Sequence, residues 1–426
     1  MKIAILGGGI TGLTAAYYLA KKNHQVTLFE KEKILGGLAA GFKTNNWDWY
    51  LERAYHHLFA NDYDILNFAK EIGFNKIFFR FPETASLFNN GTILPLDTPL
   101  DFLRFPYLNI VDKLRAGIVI VFLKLSPFLS IYEKQTSQEF LKKTMGEKVW
   151  NILWQPLFRG KYGDYAGNIM ASFIWARIKK RTKNLGYIEG GFQTLIDYVE
   201  NKLKHLNVKI LKNTSVEEIR KNKTKFNLTY TGRPSRICKE DFDLVISTLP
   251  TPILSKLTAN IFTSEYLSQF NKLKYLHAIT LILETDKPIL DKTYWLNIST
   301  PKIPIMGIVQ HTNFIDKKNY GNKHIAYLGW YLKRDDKLMK MKDRELLNYV
   351  SPYLKQISDF GFRISDFYVF RAPFAQPIFD KNFVKNKPDF ITPVKNFFIS
   401  NLDMTYPYDR GTNYAVKLGK EVTKLI

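Results

Sequence analysis

The sequence predicts an α/β fold: a parallel sheet flanked by helices, interrupted by long insertions that form an α+β domain and a helical subdomain. Three observations lead there. Residues 2–6 form a short apolar run that stops at a glycine cluster. Residues 11–22 follow with Leu13, Ala16, Tyr17 and Ala20 at helical spacing, and residues 25–29 are a second apolar run. Far downstream, residues 396–400 and 413–425 read as a last apolar strand and a last helix that return to the same sheet.

The intervening chain sorts in order. Residues 87–93 read as a hairpin turned at Asn90-Gly91. Residues 99–183 are dense in Leu, Ile, Phe and Trp at helical spacing, the pattern of a helical subdomain. Residues 208–211, 225–230 and 242–247 read as strands, the last ending at Thr248-Leu249-Pro250. Residues 253–376 hold β-rich runs at 278–283 and 325–332. The expected organisation is a discontinuous nucleotide-binding domain of residues 1–85, 186–252 and 377–426. A β-rich substrate domain takes 86–98 and 253–376, and a helical subdomain takes 99–185.

The 426 residues are 46% apolar and 24% charged, a balance that sets the chain among folded proteins rather than disordered ones. The single cysteine, Cys238, excludes a disulfide framework, a CxxC pair and a cysteine-held iron–sulfur cluster. No histidine spacing supports a metal site. The net charge is +23, but the basic residues are dispersed and show no zinc finger, basic arm or RNA-binding signature. Nucleic acid is therefore not expected as a partner. A small-molecule substrate, anionic or lipophilic, is expected instead. The N-terminal apolar run is too short for a signal peptide, and no run of about eighteen apolar residues exists. A cytoplasmic location, or a peripheral one on the inner face of the membrane, follows. Residues 116–132, broken by Lys124 and Pro127, are read first as a buried helix of the substrate domain and second as a face that docks on a membrane.

Gly7-Gly8-Gly9-Ile10-Thr11-Gly12 is a G-x-G-x-x-G between a strand and a helix, with Glu30 ending the next strand eighteen residues after Gly12. Gly7 permits the tight turn, Gly9 lets the backbone approach a pyrophosphate, and Gly12 allows close helix–strand packing. The helix start at Ile10 and Thr11 offers free N–H groups to phosphates. Glu30, with Lys31 after it, can accept ribose hydroxyls. Gly36-Gly37-Leu38 follows, a pair with backbone freedom near the same phosphates. Near the C-terminus Asp403 precedes Thr412 and Asn413, which open the last helix, and Thr214-Ser215-Val216 precedes Glu217.

Together these motifs resemble the FAD-dependent amine oxidase, protoporphyrinogen oxidase and phytoene desaturase superfamily, whose scaffold is shared with UDP-galactopyranose mutase. Glu189-Gly190-Gly191-Phe192 and Arg371-Ala372-Pro373-Phe374 look like further segments of it. The resemblance implies a Rossmann-like FAD-binding domain of the GR2 flavoprotein type and a non-covalent FAD. Asp403 would meet the ribityl–phosphate part, Val216 the adenine, and the helix opened by Thr412 and Asn413 the flavin ring. Cys238, in a basic loop, is not an attachment point.

Three clusters supply catalytic candidates. His56 and His57 follow the Gly-Gly pair; on a strand, at most one would face the flavin. Arg159 and Lys161 sit in a glycine-flanked turn suited to an anion, and Tyr408 precedes the last helix. The first functional expectation is an FAD-dependent oxidoreductase taking a hydride from an organic substrate. The alternatives are a non-redox flavoenzyme acting on a sugar nucleotide, like the mutase, and a non-catalytic flavin-binding or membrane-associated protein.

Overall fold

Lys2–Leu6 is apolar on both faces, and it occupies the centre of a five-stranded parallel sheet. The computed structural model describes residues 1–232, 236–358 and 361–426. The strand order is Lys209–Leu211, Gln25–Phe29, Lys2–Leu6, Leu244–Ser247 and Phe397–Ile399. From the central strand the chain runs first to one side and much later to the other. That reversal opens a crevice beyond the strand ends, where the glycine cluster lies. The helices Ile10–Lys21 and Thr412–Val422 pack so closely that a Cβ on Gly419 would stand 2.5 Å from the Thr11 carbonyl oxygen.

The second layer is a seven-stranded sheet in the order Ile364–Pro377, Tyr275–Thr285, His324–Leu332, Gly307–Gln310, Thr293–Ile298, Glu83–Leu87 and Ile93–Pro95. Its pairings are antiparallel except for Glu83–Leu87 against Thr293–Ile298. This sheet therefore begins before residue 86. Its first strand is held by a partner two hundred residues away in sequence, which local pattern does not reveal. The expected hairpin is present, with Leu87 paired to Ile93.

Three expectations need correction. Residues 242–247 are not one strand: Phe242 ends an antiparallel strand, Leu244 starts a parallel one, and Asp243 between them accepts a hydrogen bond from the Lys2 amide at 2.7 Å. Cys238 lies in the strand Arg236–Phe242, opposite Tyr230, and not in a loop. The helix Ile110–Leu125 is not buried: only Ala116 and Leu123 are inside. They lie seven residues apart on one narrow stripe, with Val119 and Ile120 partly buried beside it, and the opposite side of the helix faces outward.

Glu52 joins the two layers. It is fully buried; Oε1 accepts the Phe192 amide at 2.7 Å and Oε2 accepts the Tyr187 hydroxyl at 2.7 Å. Its backbone oxygen accepts the Tyr327 hydroxyl from the seven-stranded sheet at 2.9 Å. Burial pushes the carboxyl from its ordinary value near 4.5 up to about 7, with the two hydrogen bonds opposing. The folded state thus prefers the proton. The resulting stabilisation is complete below pH 4.5 and is lost as pH rises through 7. We expect Glu52→Gln, which keeps the shape without a charge, to remove a fall of up to about 3 kcal/mol between acid and neutral pH. Thermal melts of both proteins at several pH values measure it.

Candidate functional site

Two glycine turns meet at the crevice. Gly9 and Gly36 form a parallel bridge, and the Gly36 amide donates to the Gly8 carbonyl at 2.9 Å. Gly36 has φ +117°, a conformation other residues rarely adopt. Gly12 packs the helix onto the first turn; a Cβ there would lie 2.0 Å from the Gly7 oxygen. Glu30 ties the turn from beneath. Its Oε2 accepts the Gly8 amide at 2.8 Å and its Oε1 the Glu32 amide at 2.9 Å. Above this frame the surface is bare: a Cβ on Gly9 would meet nothing nearer than the Gly37 Cα at 3.9 Å. The helix start at Gly9 carries no side-chain cap, and neither does that at Gly411. Both present helix N-termini to one space, the arrangement that receives anionic groups.

That space is a cavity of about 1340 Å³. Of the residues expected at the cofactor, Gly7, Gly9, Ile10, Thr11, Glu30, Lys31, Gly36, Gly37, Leu38, Val216, Thr412 and Asn413 line it. Gly12 stands behind the wall in its packing role. Asn413 also holds the fold together, its Oδ1 accepting the Ile65 amide at 3.1 Å. Asp403 lies outside the lining. It turns inward, and its Oδ2 accepts the hydroxyls of Thr251 at 2.5 Å and Tyr275 at 2.7 Å, while Oδ1 is buried without a partner. Burial raises its carboxyl to about 6. Its neighbours Leu402 and Thr405 reach the cavity instead.

His56 and His57 both border the cavity, contrary to the strand argument. Residues 55–57 are irregular backbone between two short strands, so alternation does not apply. His56 Nδ1 lies 2.6 Å from the Ala54 carbonyl, which places its proton on that nitrogen and leaves Nε2 as an acceptor. Burial lowers His56 to about 4 and His57 to about 3, so both are neutral near pH 7. His57 Nδ1 is buried without a hydrogen-bond partner.

Arg159 is absent from the cavity. Gln155–Tyr162 is a helix, not a turn, so residues two apart face nearly opposite ways. Arg159 joins Gln155 and Gly163 on an outer groove, while Gly160 and Lys161 face inward. Lys161 Nζ donates to Asp409 Oδ2, and Arg177 approaches the same oxygen at 3.5 Å. Arg410 donates to the Ala375 carbonyl at 2.7 Å and to the Tyr331 hydroxyl. Tyr408 stacks on Tyr414, centroids 4.8 Å apart. Around the cavity eleven Lys and Arg stand against six Asp and Glu, so its field is positive. Arg177, Arg410 and Tyr331 were missed as site residues from the sequence. The basic run at 177–183 was a local signal for the first; Tyr331 is brought in only by sheet pairing.

Burial lowers Lys161 to about 8, against the pull of Asp409. Asp409 is held below its usual range, because Lys161 and Arg177 outweigh the effect of its burial. Both are charged at pH 7. We expect Asp409→Asn to lower the Lys161 titration point further, since it removes the counter-charge and leaves the desolvation. Reductive ¹³C-methylation and NMR titration read the change directly.

The chain matches the profile of the flavin containing amine oxidoreductases over residues 10–376. Coproporphyrinogen III oxidase of Staphylococcus aureus is 21% identical over 341 residues, 68% of this chain and 69% of that one. The 15-cis-phytoene desaturase of Synechococcus elongatus is 38% identical over 72 residues, 17% of this chain. This chain spans only 15% of that desaturase's length. The structure of reduced UDP-galactopyranose mutase superposes with a TM-score of 0.76 at 16% identity, covering 99% of this chain and 94% of that one, a likeness of fold. Since the profile takes in most of its length, including the crevice helix, the histidines and the seven-stranded sheet, the chain belongs to the flavin containing amine oxidoreductase family.

Proposed function

We propose that the chain is an FAD-dependent oxidoreductase that holds FAD without a covalent bond and oxidises an organic substrate, lipophilic or anionic, in the same cavity. The observation that carries this reading is the continuity of that cavity. It runs from the two glycine turns to Trp295, Tyr331 and Phe370 of the seven-stranded sheet. Its volume exceeds the roughly 300–1,000 Å³ of a site for one small ligand, as a cofactor and a substrate together require. Family membership supports the flavin; the finer activity is our inference.

When bound, FAD would supply the two-electron acceptor. The chain supplies the rest. The helix starts at Ile10 and Thr412 favour negative charge on the groups they face. Neutral His56 keeps an acceptor lone pair at Nε2 for a proton. Lys161 and Arg410 offer positive charge to an anionic substrate group, and the aromatic wall takes an apolar body. The positive wall also favours a second reading, a non-redox enzyme acting on a sugar nucleotide whose diphosphate those cations would hold.

The purified protein is expected to be yellow and to release its flavin on acid precipitation. Anaerobic addition of a porphyrinogen, a polyene or an amine should bleach the flavin band for one class. If none bleaches it and the reduced protein interconverts UDP-hexoses, the second reading replaces the first. Gly9→Val fills the bare surface over the turn. It should cut bound flavin about tenfold or more, read as visible absorbance per protein with an unchanged far-UV spectrum.

A further inference from the structure

We propose that the outer groove beside Gln155–Tyr162 is a second binding site, for a small metabolite carrying a carboxylate or a phosphate, and that its occupant acts on the cavity through that helix. The chain from Trp150 to Tyr162 is a partition between two spaces. A π-helical turn, Trp150–Trp154, runs straight into the helix Gln155–Tyr162. Trp154, Leu157, Phe158 and Lys161 line the cavity, at the spacing of one helix face. Gln155, Arg159 and Gly163, each four residues on, line the groove instead. Trp150 and, from a neighbouring helix, Gln138 complete its wall with residues 164–167.

The groove holds donors that nothing in the protein uses. Among the described residues, no group hydrogen-bonds or ion-pairs with the side chains of Arg159, Gln138 or Gln155. Trp150 is 1% exposed, and its Nε1 is buried without an acceptor. An indole N–H and a guanidinium can only donate. A buried donor left unpaired is costly, and folded proteins pair nearly all of theirs. The acid in the groove wall is already engaged: Lys333 donates to Asp164 Oδ2, which holds that carboxyl below its usual range.

Unused donors around one free cation call for an oxyanion. The planar fork of Arg159 matches two oxygens of a carboxylate or a phosphate. The amides of Gln138 and Gln155 can donate to the others. A volume of about 460 Å³ suits a molecule of metabolite size, and one free cation is too few for a polyanion. The effect on the cavity follows from the shared helix. Arg159 and Lys161 are two residues apart on one short rigid element. An anion that draws Arg159 outward moves Lys161 Nζ relative to Asp409 Oδ2, its counter-charge. The site does not rest on the activity proposed above, and its failure would leave that activity untouched.

Isothermal titration of the flavin-loaded protein with glycerol 3-phosphate and with malate tests the site. We expect one of them to bind with a Kd below about 1 mM. Arg159→Ala, at an exposed side chain without a partner, should weaken that binding about tenfold or more, and Arg159→Lys, which keeps the charge but not the fork, nearly as much. Binding of glycerol 3-phosphate alone assigns the site to phosphates, and binding of malate alone to carboxylates. Binding of neither overturns the proposal. So does binding that Arg159→Ala retains, because the dispersed basic residues or the cavity then hold the anion. The ¹³C-methylated Lys161 signal, identified by its loss in Lys161→Gln, reads the coupling. It should shift on saturation of the groove in the parent protein and stay in place in Arg159→Ala. A bound probe that leaves the signal unmoved in the parent protein overturns the action on the cavity.

Discussion

The approach of two glycine turns at the point where the sheet reverses direction is the constraint on which the site depends. The turn from Gly7 to Gly9 and the turn at Gly36 and Gly37 touch through backbone atoms: the Gly36 amide donates to the Gly8 carbonyl, and a Cβ on Gly37 would stand 3.2 Å from the Gly9 Cα. Glu30 holds the first turn by accepting the buried Gly8 amide, which would otherwise be unpaired, and its other oxygen accepts the Glu32 amide just after the strand end. Only with that frame closed do two uncapped helix starts face one cavity. The site's affinity for a phosphate-bearing group is thus a property of backbone placement more than of any charged side chain.

Around that frame, the site keeps its groups in defined protonation states through burial. Both histidines are driven neutral by desolvation, whereas Lys161 stays charged at neutral pH because Asp409 shares its burial. The pair is held by further cations, Arg177 and Arg410, so a ligand meets a positive wall without meeting an unpaired buried charge. Glu52 lies away from this wall, where no cation balances it, and its carboxyl moves the opposite way.

The glycine motif was legible because its job needs one residue type at fixed spacing, and the residues read from it lie together. His56, His57, Lys161 and Tyr408 also border the cavity, although for different reasons than their local sequence suggests: irregular backbone lets both histidines reach it. Arg159 lies outside the cavity because Gln155–Tyr162 is a helix and not the turn its flanking glycine suggests, and the helical period sends it outward. Asp403 has its expected neighbours in sequence, yet its side chain chose Thr251 and Tyr275, partners about 150 and 130 residues away. Local sequence carries no information about such a choice.

The sequence by itself determined the class of fold, the glycine turns and the acidic strand end, because strand periodicity, helix starts and glycine geometry are local physics. The tertiary structure decided the rest. Strand pairing across the insertions brought Tyr331 and Trp295 over the crevice, and the packing of Gln155–Tyr162 selected Lys161 over Arg159. It also decided the fate of the apolar helix Ile110–Leu125. Its composition suits a core as well as a lipid surface, and only the narrowness of the stripe taken up by its neighbours left the other face in the open. Burial is a relation between distant segments, and no window of local sequence contains both of them.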